Sequence, residues 1–378
     1  MTPDTTRDTQ AALLLGAPLI ASTTAPADAI LKPAEFRAVR ARIFASGRSL
    51  GDLLGPNGPA IVADCADLVP VSRLNDLLAR GFRLAQALDQ WAARSIWVVG
   101  TTDDAYPTRL RDRFGDDAPP VLYGCGAADL LQGGGLAVVG SRDCDDDTIA
   151  WTTEIGRRAA QSRCTIVSGA ARGVDLTAMA AALDAGGTAV GVIAETLFRE
   201  VLNAGFRDYL QAGTLALVSP NDPRQRFFVS LRMQRNKYIY ALSDSALVVD
   251  SRLNQGGTWA GAKEQLQDLR HVPVYVRVPE AASVGLDGLR ALGAHPWPDP
   301  ATSAEFARVV QNAEASGEAI DGSPASTPIA ADPTTTPPPT AIQQPLFELQ
   351  TLSTENDQGR RTRGGDHKRP QRGRSRRG

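Results

Sequence analysis

From Leu136 onward one rhythm repeats, a short apolar run followed by a stretch with helical spacing. The runs LAVVG, CTIVSG, TAVGVI, TLALVS, SALVVD and VPVYVR are separated by DDDTIAWTTEIGRRAAQS, VDLTAMAAALDAG, REVLNAGFRDYLQ, a helix near 228 to 241, and TWAGAKEQLQDL. The runs do not alternate apolar with polar, so both faces of each strand are covered, and the sheet is expected to be parallel with helices on each side. This defines an α/β chain, Rossmann-like, with a doubly wound, mostly parallel sheet. Ligands of that architecture collect at the carboxyl ends of the strands, where helix N-termini present unpaired N–H groups.

Two further regions flank this one. Residues 10 to 95 carry helical spacing (AEFRAVRARIFA, SRLNDLLARGFRLAQALDQWAA) broken by Gly and Pro, which predicts a small helical N-terminal domain over 1–95 ahead of the Rossmann-like domain over 96–300. From about 316 the composition turns to Ser, Thr, Pro and Ala, then to Gly, Arg and Lys. Such a stretch cannot bury enough apolar surface to offset its ordering entropy, so residues 316–378 are expected to be a disordered Pro/Thr-rich, then Arg-rich, tail. Formal charge is -2 overall. Residues 359–378 hold nine Lys or Arg against one Asp, leaving -10 for the rest, so the basic part is a tail and not a domain.

Four cysteines without a C-x-x-C and three histidines show neither a zinc spacing nor a disulfide framework, and a reducing cytoplasm fits best. The apolar run Ala11 to Ala21 follows Asp4 and Asp8 against one Arg7, so it lacks the positive flank of a secretion signal. No run approaches the length of a spanning helix, and no membrane partner is expected.

The turns after the strands carry the functional signal. Gly140, Ser141 and Arg142 follow the first; Ser168, Gly169, Arg172, Gly173 and Asp175 follow the second; Ser251, Arg252, Gly256, Gly257 and Thr258 follow SALVVD. Glycine lets backbone approach an anion, hydroxyls donate to phosphate oxygens, and Arg forks onto them. Any one such turn also serves simply to end a strand and cap a helix. Three on one rim predict an anion-binding surface. No G-x-G-x-x-G follows the first strand and no G-x-x-x-x-G-K-[ST] occurs, which disfavours a dinucleotide enzyme and a P-loop ATPase.

In order and spacing, YPTRL from Tyr106, PPVLYGCG from Pro119, VVGSR ending at Arg142, IVSGAARGVD ending at Asp175, RNKYIYALSD from Arg235, NQGGTWAGAKE from Asn254 and GLDGLRALGA from Gly285 resemble the DNA-processing protein A (DprA/Smf) family over about residues 10 to 296. The resemblance implies a cytoplasmic protein that binds and protects single-stranded DNA and helps load the RecA recombinase in transformation or recombination, with no catalytic reaction, cofactor or metal assigned. It implies a homodimer through the Rossmann-like domain. It places Gly140, Ser141, Arg142, Ser168, Gly169, Arg172, Arg235, Asn236 and Lys237 in the DNA-binding pocket, and Gly256, Gly257 and Thr258 fall on the same rim. Helix N-termini with Arg and Lys follow a phosphate backbone without reading bases. Phe227, Phe228 and Tyr238 lie beside the basic stretch, where they either stack on bases or pack in the core.

The chain departs from the family pattern in three places. Met179 stands where a His is usual, AETLFREVLNAG with Glu195 replaces a Gly-rich turn, and Asp143, Asp145, Asp146 and Asp147 directly follow VVGSR. Carboxylates in a first helical turn commonly complement the helix dipole, yet beside a phosphate site they repel DNA unless they are turned away or hold a cation. In the tail, Gln343, Leu346 and Phe347 form a Q-x-x-L-F resembling the peptide by which bacterial proteins dock on the replication sliding clamp. The Arg-rich end either reinforces nucleic-acid binding by counterion release or keeps the chain soluble.

Two other functions fit the same architecture. A nucleotide phosphoribohydrolase-like enzyme would carry P-G-G-x-G-T-x-x-E, whereas this chain has QGGTWAGAKE with Glu264. A nucleotide-sensing module would be stabilised by nucleotides and not by oligonucleotides.

Overall fold

The computed structural model describes residues 5–19, 30–194, 197–224 and 229–311, with the backbone alone for 229–233. They belong to a compact unit that extends to Gly322. Glu195, Phe227, Phe228, the tail over 316–378 and its Gln343, Leu346 and Phe347 lie outside the described residues.

Five helices come first, α1 (Arg7–Gly16), α2 (Pro33–Ala45), α3 (Gly58–Asp64), α4 (Val71–Leu78) and α5 (Gly81–Ala92). The first part of the apolar run Ala11 to Ala21 lies on α1, with Ala11, Leu13 and Leu15 fully enclosed. The segment 72–93 forms two short helices, α4 and α5, that meet at Arg80.

The remaining elements alternate: β1 (Ile96–Gly100), α6 (Thr108–Phe114), β2 (Val121–Gly126), β3 (Leu136–Val139), α7 (Asp146–Gln161), β4 (Ile166–Ser168), α8 (Val174–Asp184), β5 (Ala189–Val192), α9 (Leu197–Glu200), α10 (Ala204–Ala212), β6 (Leu215–Ser219), α11 (Val229–Ala241), β7 (Ser245–Val248), α12 (Gly256–Glu264), β8 (Val274–Val276), α13 (Val284–Ala291), β9 (His295–Pro296) and α14 (Ser303–Gln311). Among the described residues the strands form one sheet of order β1-β2-β6-β5-β4-β3-β7-β8-β9. Every pair from β6 to β9 is parallel. β2 lies antiparallel to both β1 and β6, an edge that the strand–helix rhythm after Leu136 does not announce. The stretch REVLNAGFRDYLQ is likewise two helices, because the Asn203 side chain accepts the Gly205 N–H at 3.0 Å and starts α10 afresh.

Period-two side-chain direction sorts the core. Leu136 and Val138 join the N-terminal helices, α7 and α8 on one face, while Ala137 and Val139 join α6, α11, α12 and α13 on the other. The helical region thus shares a hydrophobic layer with the sheet. A polar tie reinforces that contact: the buried Asp103 carboxylate accepts from Thr6 Oγ1 at 2.6 Å, Thr9 Oγ1 at 2.7 Å and the Gly100 N–H at 2.8 Å. No helix among the described residues is long and apolar enough to cross a membrane.

Just beyond β6, Asp222 is buried. Its Oδ1 accepts the Arg224 N–H at 2.9 Å, whereas its Oδ2 has no hydrogen-bond partner among the described residues. Burial raises this carboxyl from 3.8 to about 6. The folded chain therefore keeps a proton that the unfolded chain releases near 3.8, and stability falls as pH rises between those values. Asp222→Asn is expected to flatten that decline and to raise stability at pH 7 by about 1–2 kcal/mol. Thermal unfolding of both proteins across pH 4 to 7 checks this, and parallel curves would refute it.

Candidate nucleic-acid interface

In the sheet order, β3 is followed in sequence by β4 on one side and bordered by β7 on the other. This is the topological switch point, where the connections diverge and leave a crevice at the carboxyl ends. A cleft of about 280 Å³ lies there. Gly140, Ser141 and Arg142 reach it from β3, Ser251 and Arg252 from β7, Arg235, Asn236 and Tyr240 from α11, Asp175 from α8, and Gly256, Gly257 and Thr258 from the start of α12.

Local chemistry holds these loops together. Thr258 Oγ1 donates to the Gly140 carbonyl at 2.9 Å, and Asn236 Nδ2 donates to the Gly257 carbonyl at 2.9 Å. Gly256 has φ +78°, a turn conformation in which L side chains are strained. The N-cap of α12, Gln255, makes no side-chain capping bond, so the positive end of that helix is left to the cleft. Ser251 is buried on the cleft wall, and its hydroxyl has no hydrogen-bond partner among the described residues.

Beneath the rim Asp175 and Arg235 are 7% and 4% exposed. Burial raises the Asp175 carboxyl, while the Arg235 charge and backbone N–H groups of Gly140, Gly169 and Ala171 pull it down. Gly169 is needed for a steric reason. A Cβ there would lie 1.4 Å from Arg235 Nη1.

Of the residues placed in the pocket by sequence, Gly140, Ser141, Arg142, Arg235, Asn236, Gly256, Gly257 and Thr258 line this one cleft. Ser168 and Gly169 do not. Ser168 is fully buried and its Oγ donates to the Val138 carbonyl at 2.5 Å, which spends the hydroxyl on the neighbouring strand, and Gly169 backs Arg235. Arg172 lines an adjoining groove of about 590 Å³ with Arg142, Asp143 and Leu176. Lys237 lines a third depression of about 260 Å³ with Asn236, Gly257 and Glu264. Its ammonium stands 5.6 Å from the centre of the Phe114 ring and 5.5 Å from that of Tyr238. The cleft shares Arg142 and Asp143 with the first neighbour and Asn236 and Gly257 with the second. Arg172, Arg142 and Lys237 therefore border three contiguous depressions, with Arg235 buried beneath the cleft between them.

The acidic cluster is mostly spent on structure. Asp145 caps α7, accepting the Thr148 N–H at 2.8 Å, and hydrogen bonds from Thr148 lower its carboxyl. Asp147 pairs with the buried Arg277, which also donates to Thr148 Oγ1 at 3.0 Å. Asp143 pairs with Arg172 at 2.5 Å. Tyr238 packs edge-on against Phe114 with ring centres 5.4 Å apart, and burial raises its hydroxyl to about 12. Met179 is fully buried and lines none of the three depressions. Cys144 borders the Arg172 groove as a free thiol pushed up by burial, the opposite of what a nucleophile needs.

Four lining residues, Val139, Ala171, Tyr240 and Gln255, were not singled out as site residues from the sequence. Tyr240 lies four positions beyond Asn236 and so shares its helix face. Gln255 precedes the glycine pair.

A doubly wound α/β fold with arginines and an uncapped helix N-terminus at its switch point defines a Rossmann-like protein. The chain belongs to the DNA recombination-mediator protein A family, whose profile matches residues 97–306. It is 32% identical over 219 residues to the DNA processing protein DprA of Streptococcus pneumoniae, which covers 56% of this chain and 76% of that one. It is 28% identical over 207 residues to protein Smf of Synechocystis, covering 52% and 50%. The X-ray structure of the S. pneumoniae protein superposes with a TM-score of 0.49 at 21% identity over 73% of this chain and 97% of that one. A Helicobacter pylori DNA processing protein A, described for its single-stranded DNA binding mode, superposes with a TM-score of 0.46 at 22% identity over 57% and 94%.

Proposed function

We propose that this chain binds single-stranded DNA along the rim Arg172–Arg142–Lys237, over the buried Arg235, and delivers the strand to a RecA-type recombinase as a recombination mediator. The observation that carries the reading is the gathering of those cations, with the open N-terminus of α12, over three contiguous depressions at one edge of the sheet. Guanidinium forks and backbone N–H groups suit phosphate oxygens and are indifferent to base identity. Family membership supports the mediator role.

Glu264, the carboxylate that a phosphoribohydrolase-like reaction would use, borders the Lys237 depression and not the cleft at the switch point. That supports a binding role over a hydrolytic one. Release of free base from nucleoside monophosphates would argue the reverse.

The test is a binding isotherm on an oligonucleotide, single-stranded and then annealed, across salt concentrations. Preference for the single strand is expected, with log K falling against log salt at a slope of about −2 to −3, from roughly 0.7 ions per phosphate contacted. A salt-independent affinity, or a preference for duplex, would overturn the reading. Acceleration of RecA filament formation on the bound strand tests the delivery step.

A further inference from the structure

We infer that Asp143 is a built-in competitor for the DNA backbone, a carboxylate that occupies Arg172 and must yield it when a phosphate arrives. The inference rests on the proposed single-strand path and names a residue that sets its strength.

Asp143 Oδ1 lies 2.5 Å from Arg172 Nη2, and the two side chains are 69% and 78% exposed. A pair this open to water is weakly held, so a phosphate can displace it. Its position is central. Asp143 and Arg142 are the residues common to the cleft and the Arg172 groove, so a strand passing from one to the other meets the pair. The turn that presents Asp143 is held by backbone contacts. Ser141 Oγ donates to the Asp143 carbonyl at 3.0 Å, and the Asp143 N–H donates to Ser141 Oγ at 3.3 Å. The carboxylate itself is therefore not needed to form the turn. It also differs from its neighbours, since Asp145 caps α7 and Asp147 anchors the buried Arg277.

A latch of this kind has a physical consequence. Binding to the rim forfeits the Asp143–Arg172 attraction, so Arg172 contributes less than Arg142, and the strand is released more readily to whatever receives it.

The experiment is a double-mutant cycle on single-stranded DNA binding, using D143N and R172Q singly and together, with Arg142→Glu as the control for the path and D146N as the control for net charge. D143N is expected to tighten binding by about fivefold, because Arg172 meets the phosphate without first giving up a carboxylate. In the R172Q background the same change is expected to gain less than about twofold, because no guanidinium is left to free. An equal or larger gain in that background would show that Arg172 merely shields Asp143, and the latch would fall. D146N matching D143N would also sink it. If Arg142→Glu loses binding while D143N changes nothing, the latch fails and the DNA path stands. If neither wild type nor D143N binds, both fail together.

Discussion

Arg142→Glu is expected to weaken single-stranded DNA binding by about a hundredfold while leaving the melting temperature within a degree or two of wild type. Arg142 is exposed and is the cation common to the cleft and the Arg172 groove. A charge-assisted bond to phosphate contributes about 1.5–3 kcal/mol. The reversed charge adds repulsion of up to about 1 kcal/mol at a solvated site. Together they approach the roughly 2.7 kcal/mol that separates affinities a hundredfold apart. The fold does not depend on this side chain, because no buried group relies on its guanidinium. Fluorescence anisotropy at fixed salt measures the loss, and calorimetry checks the fold. Affinity unchanged to within twofold would remove the cleft from the DNA path. Arg172→Glu is expected to cost less, since Arg172 is already occupied by Asp143 in the unbound chain.

How much of this was legible in the sequence depends on the range of the interaction involved. The parallel core from β3 to β8 was readable because each strand is covered on both faces and so appears as an unbroken apolar run. β1 and β2 are equally buried, but they pair antiparallel at the sheet edge, and nothing in a strand–helix rhythm encodes direction. The glycine–hydroxyl–arginine turns were readable as a group, and most reach one cleft. Ser168 shows the limit. By composition its turn looks like a phosphate turn, yet its hydroxyl is consumed by the Val138 carbonyl, a partner thirty residues away whose position depends on strand order. The aspartates after VVGSR show the same limit from the other side. Only the three-dimensional fold assigns Asp145 to a helix cap, Asp147 to Arg277 and Asp143 to Arg172.

Asp175→Ala is expected to lower stability by about 3–5 kcal/mol, because it removes a buried opposite charge that faces the Arg235 guanidinium. For a domain of this size that is a melting-temperature drop on the order of 10 °C. Both residues lie under the rim, and Gly169 gives up its side chain so that the guanidinium can occupy the space. Backbone N–H groups of Gly140, Gly169 and Ala171 also favour the charged carboxylate, so its loss removes a charge that the turns after both β3 and β4 face. The pH dependence has a definite sign. Burial holds the Asp175 carboxyl above its ordinary value, so the folded chain binds this proton more tightly than the unfolded one. The proton-linked part of its contribution is greatest below the unfolded value of 3.8 and falls as pH rises through the folded value, above which the ionised carboxylate faces Arg235. The alanine variant lacks this dependence. A desolvated pair is costly to keep and costlier to break, so Asp175→Ala combined with Arg235→Met is expected to recover most of the lost stability. The double variant is also expected to bind single-stranded DNA more weakly than wild type, since the cleft loses the cation that lines its floor. Recovery of the melting temperature without recovery of binding would separate what the pair does for the fold from what Arg235 does for the strand. A single Asp175→Ala protein as stable as wild type would instead show that the buried charge is balanced elsewhere.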